Sequence, residues 1–477
     1  MYYFQSQKNS KKLVINLKIA FIGAGSIVFG ENILTDILTF PSIQKDTIIC
    51  LEDIDEHRLN LMYNLMNRYK EMNPKELEGV SFEKTTDMKK AISNAKYIIS
   101  AIHVGGLDAF QVDIEIPMKY RVSQCIGETL GPGGVFRFLR NAPVLKQIVE
   151  LIKQVGFNSE NKEGGPLFLN YTNPMAMNVW YCNSINPDST VGLCHGVQGT
   201  SRMLMDWIGV KPENYSFLCA GINHMAWFIE LWYRESNSSD STWKNAYPLL
   251  YKRYEANPNL IGGELLRWDM MEATGYFMTE TSGHLSEYLP YYRKRNDLLE
   301  KYRGTETEHS SLLQAEDYRM QVKNLGKMER RFERKLSHKK LNLKQIPSYE
   351  YGSHIINAIE TDIPFRFNGN VMNRNGSLIT NLPKDCCVEV PVFADYQGLH
   401  PQGGITLPTI CQGLCTSNVM VQKAAVEGQL MLDKEKIYHA VLLDPNTASV
   451  CSPKEVRDMV DQMFEAEKRW LPQFKGL

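Results

Sequence analysis

The chain has 477 residues, and its 53 Lys and Arg against 54 Asp and Glu leave a net charge of −1. That balance supplies no bulk attraction for nucleic acid or an anionic membrane, so neither is expected as a partner. With 43% hydrophobic and 22% charged residues the composition is globular. Ten cysteines are too few for a disulfide scaffold. The sequence shows no signal-peptide h-region and no apolar run of about eighteen residues, so a cytoplasmic, reduced protein is expected.

In chain order, residues 1–16 form a polar leader, and Leu17-Lys18-Ile19-Ala20-Phe21-Ile22 reads as a buried strand. Gly23-Ala24-Gly25-Ser26 turns from it into a helix predicted over residues 27–40. Thr47-Ile48-Ile49-Cys50-Leu51 is a second strand, ending in Glu52-Asp53-Ile54-Asp55 before a helix that starts at Glu56. Strands are predicted at 97–102, 167–170 and 190–193, each followed by a helical stretch. Alternation of this kind implies a parallel sheet with right-handed crossovers. Residues 17–200 are therefore expected to form a Rossmann-like, doubly wound α/β domain of the lactate/malate dehydrogenase type. Beyond it, strands at 216–222 and 226–232 flank a sharp Gly221-Ile222-Asn223-His224 segment. Helices are predicted within 242–275, 309–340, 418–442 and 453–468, and short β-like runs within 362–408. Residues 201–477 thus read as an α+β domain for catalysis and oligomerisation, and a homodimer or homotetramer is expected.

Gly23 and Gly25 lie between a strand and a helix, where glycine lets the backbone approach a pyrophosphate. The third fingerprint glycine is absent, with Val28 in its place. Asp53, at the end of the next strand, suits the ribose hydroxyls and would repel a 2′-phosphate, favouring NAD over NADP. The alternative is a plain βα turn with Asp53 capping a helix.

Cys194 and His195 follow a strand, at the edge where open α/β sheets bind ligands, and His224 ends a second apolar run. One thiolate and one imidazole can hold a divalent ion with positions left for substrate. Out of context, Cys194 would be a buried small hydrophobe and His224 a core histidine. Asn170-Tyr171-Thr172-Asn173-Pro174 offers two amides after a strand, and the glycine-dense 127–134 loop, which contains Glu128, could close over a ligand.

Together these motifs, with Val104-Gly105-Gly106, resemble glycoside hydrolase family 4, the NAD- and metal-dependent glycosidases. The resemblance runs from about residue 18 to 292 and more loosely through 365–404. It implies a mechanism outside the two-carboxylate scheme. NAD takes hydride from C3 of the sugar, a base removes the acidified C2 proton, and a metal on O2 and O3 stabilises the enediolate. The C1 oxygen then leaves with help from an acid, water adds, and the hydride returns. Carried over by position, Gly23, Gly25, Ser26 and Asp53 bind NAD, and Cys194 and His224 bind the metal, expected to be Mn²⁺. His195 is the acid, Asn173 and Glu128 bind substrate, and Glu280 is the chosen base, with His284 and Tyr276 in reserve.

The substrate implied is an unphosphorylated α-glycoside or short oligosaccharide, because His103 stands where phosphosugar members tend to carry Arg. The 279–288 stretch resembles the α-galactosidase and α-galacturonidase branch, whereas Gly196 is familiar from α-glucosidases and α-glucuronidases. The competing reading is a 2-hydroxy acid dehydrogenase of the malate/lactate type, which would have no use for Cys194.

Overall fold

A computed structural model describes residues 17–26, 30–156, 166–236, 241–303 and 312–476. The polar leader and the first three residues of the helix expected at 27–40 lie outside the described residues. The rest of that helix spans Gly30–Ile37.

Six strands form a parallel array: β1 (Leu17–Ile22), β2 (Thr47–Glu52), β3 (Val80–Thr85), β4 (Tyr97–Ser100), β5 (Leu167–Asn170) and β6 (Thr190–Leu193). Their spatial order is β3-β2-β1-β4-β5-β6, the doubly wound order of dinucleotide-binding sheets. β1, β4 and β5 are near-continuous apolar runs because helices cover both faces of the sheet. The sequence reading missed β3. Its Val-Ser-Phe-Glu-Lys-Thr run alternates buried and exposed residues, and it pairs only with β2 at the sheet edge. An edge strand with one wet face carries little of the apolar signal that marked its neighbours.

The second half extends the same sheet. β7 (Tyr215–Ile222), β8 (Met225–Tyr233), β9 (Lys244–Asn245), β10 (Phe365–Met372), β11 (Cys387–Asp395) and β12 (Gly398–Pro401) all pair antiparallel. β10 adds to the outer edge of β6 through Gly369↔Leu193 and Asn370↔Gly192. β11 follows β10, and β7 then pairs with β11 at Glu389↔Gly221. The twelve strands therefore form one sheet, parallel up to β6 and antiparallel beyond it. The expected boundary near residue 200 falls within the helix Gly196–Ile208.

Two helices bear on the site. Gly131–Val155 has Pro132 near its start and buries most of its first three turns. The charge-dense helix Glu316–Leu336 turns Phe332 inward. Its outer side chains tie it to the nucleotide half through Arg58–Glu329 (3.3 Å) and Lys335–Glu31 (2.6 Å). Among the described residues no helix is long and apolar enough to cross a membrane.

Candidate active site

The turn after β1 folds onto the end of β2. Gly23 and Ala24 each donate a backbone N–H to the Glu52 carbonyl at 2.9 Å, and Gly25 donates to Asp53 Oδ2 at 2.8 Å. Ser26 closes the turn on the Gly23 carbonyl at 3.0 Å. Gly23 has φ +78°, and a Cβ there would stand 2.6 Å from the Ala101 carbonyl, so neither conformation nor space admits another residue. A Cβ on Gly25 would lie 2.8 Å from Asp53 Oδ2. The four residues expected to hold a dinucleotide thus form one unit.

Asp55, not Asp53, caps the helix Glu56–Met72, accepting from the N–H groups of His57 and Arg58. That removes the helix-cap alternative for Asp53. The Asp53 carboxylate stays at the turn, accepting from Gly25 and Asp55, with Ile54 beside it 91% exposed. NAD is expected to bind at least about tenfold more tightly than NADP, roughly 1.4 kcal/mol. Calorimetric titration of both nucleotides reads this directly, and Asp53→Ala should narrow the gap. Tighter NADP binding by the unaltered protein would refute this role for Asp53.

At the same edge, beyond β6, three donors converge. Cys194 follows β6, His224 sits in the tight β7–β8 turn, and Glu280 precedes the helix Ser282–Tyr288. Their ligand atoms all lie within 4.8 Å of one another, the spacing a single divalent ion requires. Glu280 Oε1 accepts the Cys194 thiol at 2.9 Å and stands 3.7 Å from His224 Nε2. His224 and Glu280 both adopt left-handed backbone, at φ +63° and +62°. Such conformations are costly for residues with a Cβ and concentrate at functional sites.

Gly196 makes the approach of Glu280 possible. A Cβ on Gly196 would fall 1.8 Å from Glu280 Oε1. His284, the first reserve, also belongs to the cluster. Its Nδ1 is 3.9 Å from Glu280 Oε2, and its ring meets that of His224 edge-on at 4.5 Å. Tyr276, the second reserve, packs edge-on against Tyr247.

The electrostatics follow from burial among imidazoles. Burial alone would raise the Glu280 carboxyl, but His224, His284 and His195 outweigh it and hold the group well below the usual carboxylate range. Burial, reinforced by Glu280, pushes the Cys194 thiol well above its ordinary value. A metal held by Cys194 would therefore have to displace the thiol proton. Mn²⁺ affinity is expected to rise with pH by up to about tenfold per unit, the slope for one proton released. Titrations in buffers of different ionisation enthalpy would count that proton, and pH-independent affinity would remove Cys194 from the ligand set.

Glu128 and Asn173 form a second polar group. Asn173, after β5, donates Nδ2–H to Glu128 Oε1 at 2.8 Å, and Arg137 pairs with Glu128 Oε2 at 2.7 Å. Arg137, His284, the Asn173 amide and His224 together overcome burial and lower the Glu128 carboxyl. Asn141 holds this corner by accepting the Val104 N–H at 3.3 Å and donating to the Asn173 carbonyl at 2.9 Å. His103 lies close by. Burial, Arg137 and Arg140 push its imidazole well below the ordinary value, and it remains neutral.

His195 differs from the rest. Its side chain is 59% exposed, and Nδ1 lies 3.5 Å from Glu350. That carboxylate pushes the imidazole up to about 9, so His195 carries a proton at neutral pH. Sequence reasoning missed Glu350, Arg137 and the steric role of Gly196. Glu350 gives no signal, being a single acid 155 positions after His195 in a polar stretch.

A dinucleotide-type turn and a sulfur–nitrogen–oxygen donor set that could hold a metal ion thus lie at one edge of a doubly wound sheet. Residues 18–210 match the Family 4 glycosyl hydrolase, and residues 219–447 match the Family 4 glycosyl hydrolase C-terminal domain. The chain belongs to glycosyl hydrolase family 4. Both halves match this family, which displaces the 2-hydroxy acid dehydrogenase reading. The chain is 38% identical to an α-galactosidase of Rhizobium meliloti, over 96% of this chain and 90% of that one. An α-galactosidase of Bacillus subtilis is 36% identical over 96% and 100%. A 6-phospho-α-glucosidase from gut microorganisms, solved with NAD and Mn²⁺, shares the fold at TM-score 0.74 and 19% identity, over 96% of this chain and 99% of that one.

Proposed function

We propose that this chain is an α-galactosidase that cleaves unphosphorylated α-galactosides with NAD and a divalent metal bound. The observation that carries this reading is the placement of Cys194, His224 and Glu280 beside the Glu128–Asn173 pair. The α-galactosidase relatives, matched over nearly the whole chain, support the choice of sugar. The neutral His103 also supports it, because an uncharged imidazole gives a phosphate no cationic grip.

The donor sets fit both groups. Gly23, Gly25, Ser26 and Asp53 would hold NAD, and Cys194 and His224 would hold the metal, Mn²⁺ in this reading. When bound, NAD supplies reversible hydride removal at the sugar's C3, and the ion polarises the neighbouring oxygens. The chain's own residues do the rest. Asn173 and Glu128 hydrogen-bond sugar hydroxyls and fix the ring. Glu280 is ionised, the state a proton acceptor must start from, and takes the C2 proton. His195 faces solvent, where a leaving alcohol must depart, and it donates the proton that alcohol needs.

Turnover of p-nitrophenyl α-galactoside, α-glucoside, α-galacturonide and α-glucuronide, with NAD, Mn²⁺ and a reductant, tests the proposal. The galactoside is expected to lead in kcat/KM by at least about tenfold, roughly 1.4 kcal/mol of differential transition-state binding. A uronide or glucoside in first place would overturn the choice of sugar.

A further inference from the structure

We propose that Glu287 is a positioning residue that fixes the substrate-binding Glu128 through the backbone just before it. Glu287 lies on the helix Ser282–Tyr288 and is only 3% exposed. Its Oε1 accepts the N–H of Cys125 at 2.6 Å and of Ile126 at 2.7 Å, and its Oε2 accepts that of Gly127 at 3.0 Å. Three consecutive backbone donors thus converge on one buried carboxylate. The segment is neither helix nor strand, so its amides have no ladder to join. Without Glu287 they would be buried and unpaired, a costly state.

The residue that follows Gly127 is Glu128. Gly127 has φ +65°, and a Cβ there would stand 2.6 Å from Ile114, so the chain turns at this point under tight constraint. Arg293 ties the residue Ser123, just before the segment, to the same helix through Ser286. It donates to the Ser123 carbonyl at 2.8 Å, Ser123 Oγ at 2.6 Å and Ser286 Oγ at 2.9 Å. One turn before Glu287 on the same short helix, His284 faces Glu280 and His224. A single helix therefore holds the metal-side cluster with one residue and the sugar-side carboxylate with the other. Movement of Glu287 would shift Glu128 relative to Asn173 and Arg137.

Glu287→Gln tests the clamp, because an amide offers one acceptor oxygen where the carboxylate offers two. Hydrogen exchange of the 125–127 amides should become at least about tenfold faster, with Mn²⁺ and NAD affinities unchanged. The kinetic arm rests on the α-galactosidase reading. KM for p-nitrophenyl α-galactoside should rise about tenfold or more in Glu287→Gln and in Glu128→Gln. In the double variant KM should equal that of Glu128→Gln, because one residue acts through the other. If Glu287→Gln does not fold, Glu287→Asp keeps the charge, shortens the reach and should show a smaller effect with the same non-additivity. Exchange at wild-type rates, or kinetic effects that multiply, would overturn the proposal. A wild-type protein inactive on α-galactosides would overturn the functional reading instead, while the exchange measurement, which needs no substrate, would still judge the clamp.

Discussion

Gly196→Ala is expected to lower kcat/KM by at least about a thousandfold, near 4 kcal/mol, while leaving the fold intact. The added methyl would stand 1.8 Å from Glu280 Oε1, far inside ordinary contact distance. The carboxylate has to move from the position in which it accepts the Cys194 thiol at 2.9 Å. Mn²⁺ affinity should fall with the activity, since a displaced Glu280 would disturb Cys194 and His224, which it contacts at 2.9 Å and 3.7 Å. Stability should not follow, because Gly196 opens a helix with ordinary backbone and alanine favours helix. Gly199→Ala is the matched control. It lies in the same helix, and a Cβ there meets nothing within 4 Å, so it should leave activity unchanged. Thermal melting, Mn²⁺ titration and turnover of both variants decide the matter. Wild-type affinity and turnover in Gly196→Ala would show that Glu280 does not occupy this position in the working enzyme.

The same glycine explains part of what the sequence made legible and what it hid. The parallel half was readable because its strands are unbroken apolar runs that end in glycines, Asp53 or Cys194, where chemistry and turn geometry coincide. β3 was hidden by its polar alternation. The continuation of the sheet into β10 and β11 was hidden because antiparallel pairing to β6 leaves no local mark on either strand. Cys194, His224 and Glu280 could each be singled out, but their contact depends on a β7–β8 turn and a loop that no spacing rule links. The resemblance already prefers Glu280 to Tyr276, but the left-handed backbone at 280 is not announced by the residue type. Gly196, which pointed away from the galactosidase branch in sequence, has a steric duty toward Glu280.

Glu280→Gln is expected to reduce kcat by about a hundred- to ten-thousandfold, the range for loss of a positioned general base. The amide keeps the shape of the carboxylate but cannot accept the C2 proton. Proton removal at C2 requires a carbonyl at C3, so the site makes an isotopic prediction as well as a kinetic one. In D₂O the wild-type enzyme should release sugar with deuterium at C2, because the proton held on Glu280 is replaced from solvent before it returns. Direct displacement at C1 never breaks the C2–H bond and would leave protium there. Glu280→Gln should lose hydrolysis and exchange together, while NAD binding through the β1 turn stays intact. His195→Ala separates the second proton from the first. It should slow glycosides with alcohol leaving groups far more than p-nitrophenyl glycosides, since only the former need protonation as they depart. C2 exchange, which depends on Glu280, should survive that change. NMR of the released sugar distinguishes these cases. Glycoside cleaved with protium retained quantitatively at C2 would rule out elimination, and with it the role of Glu280 as base.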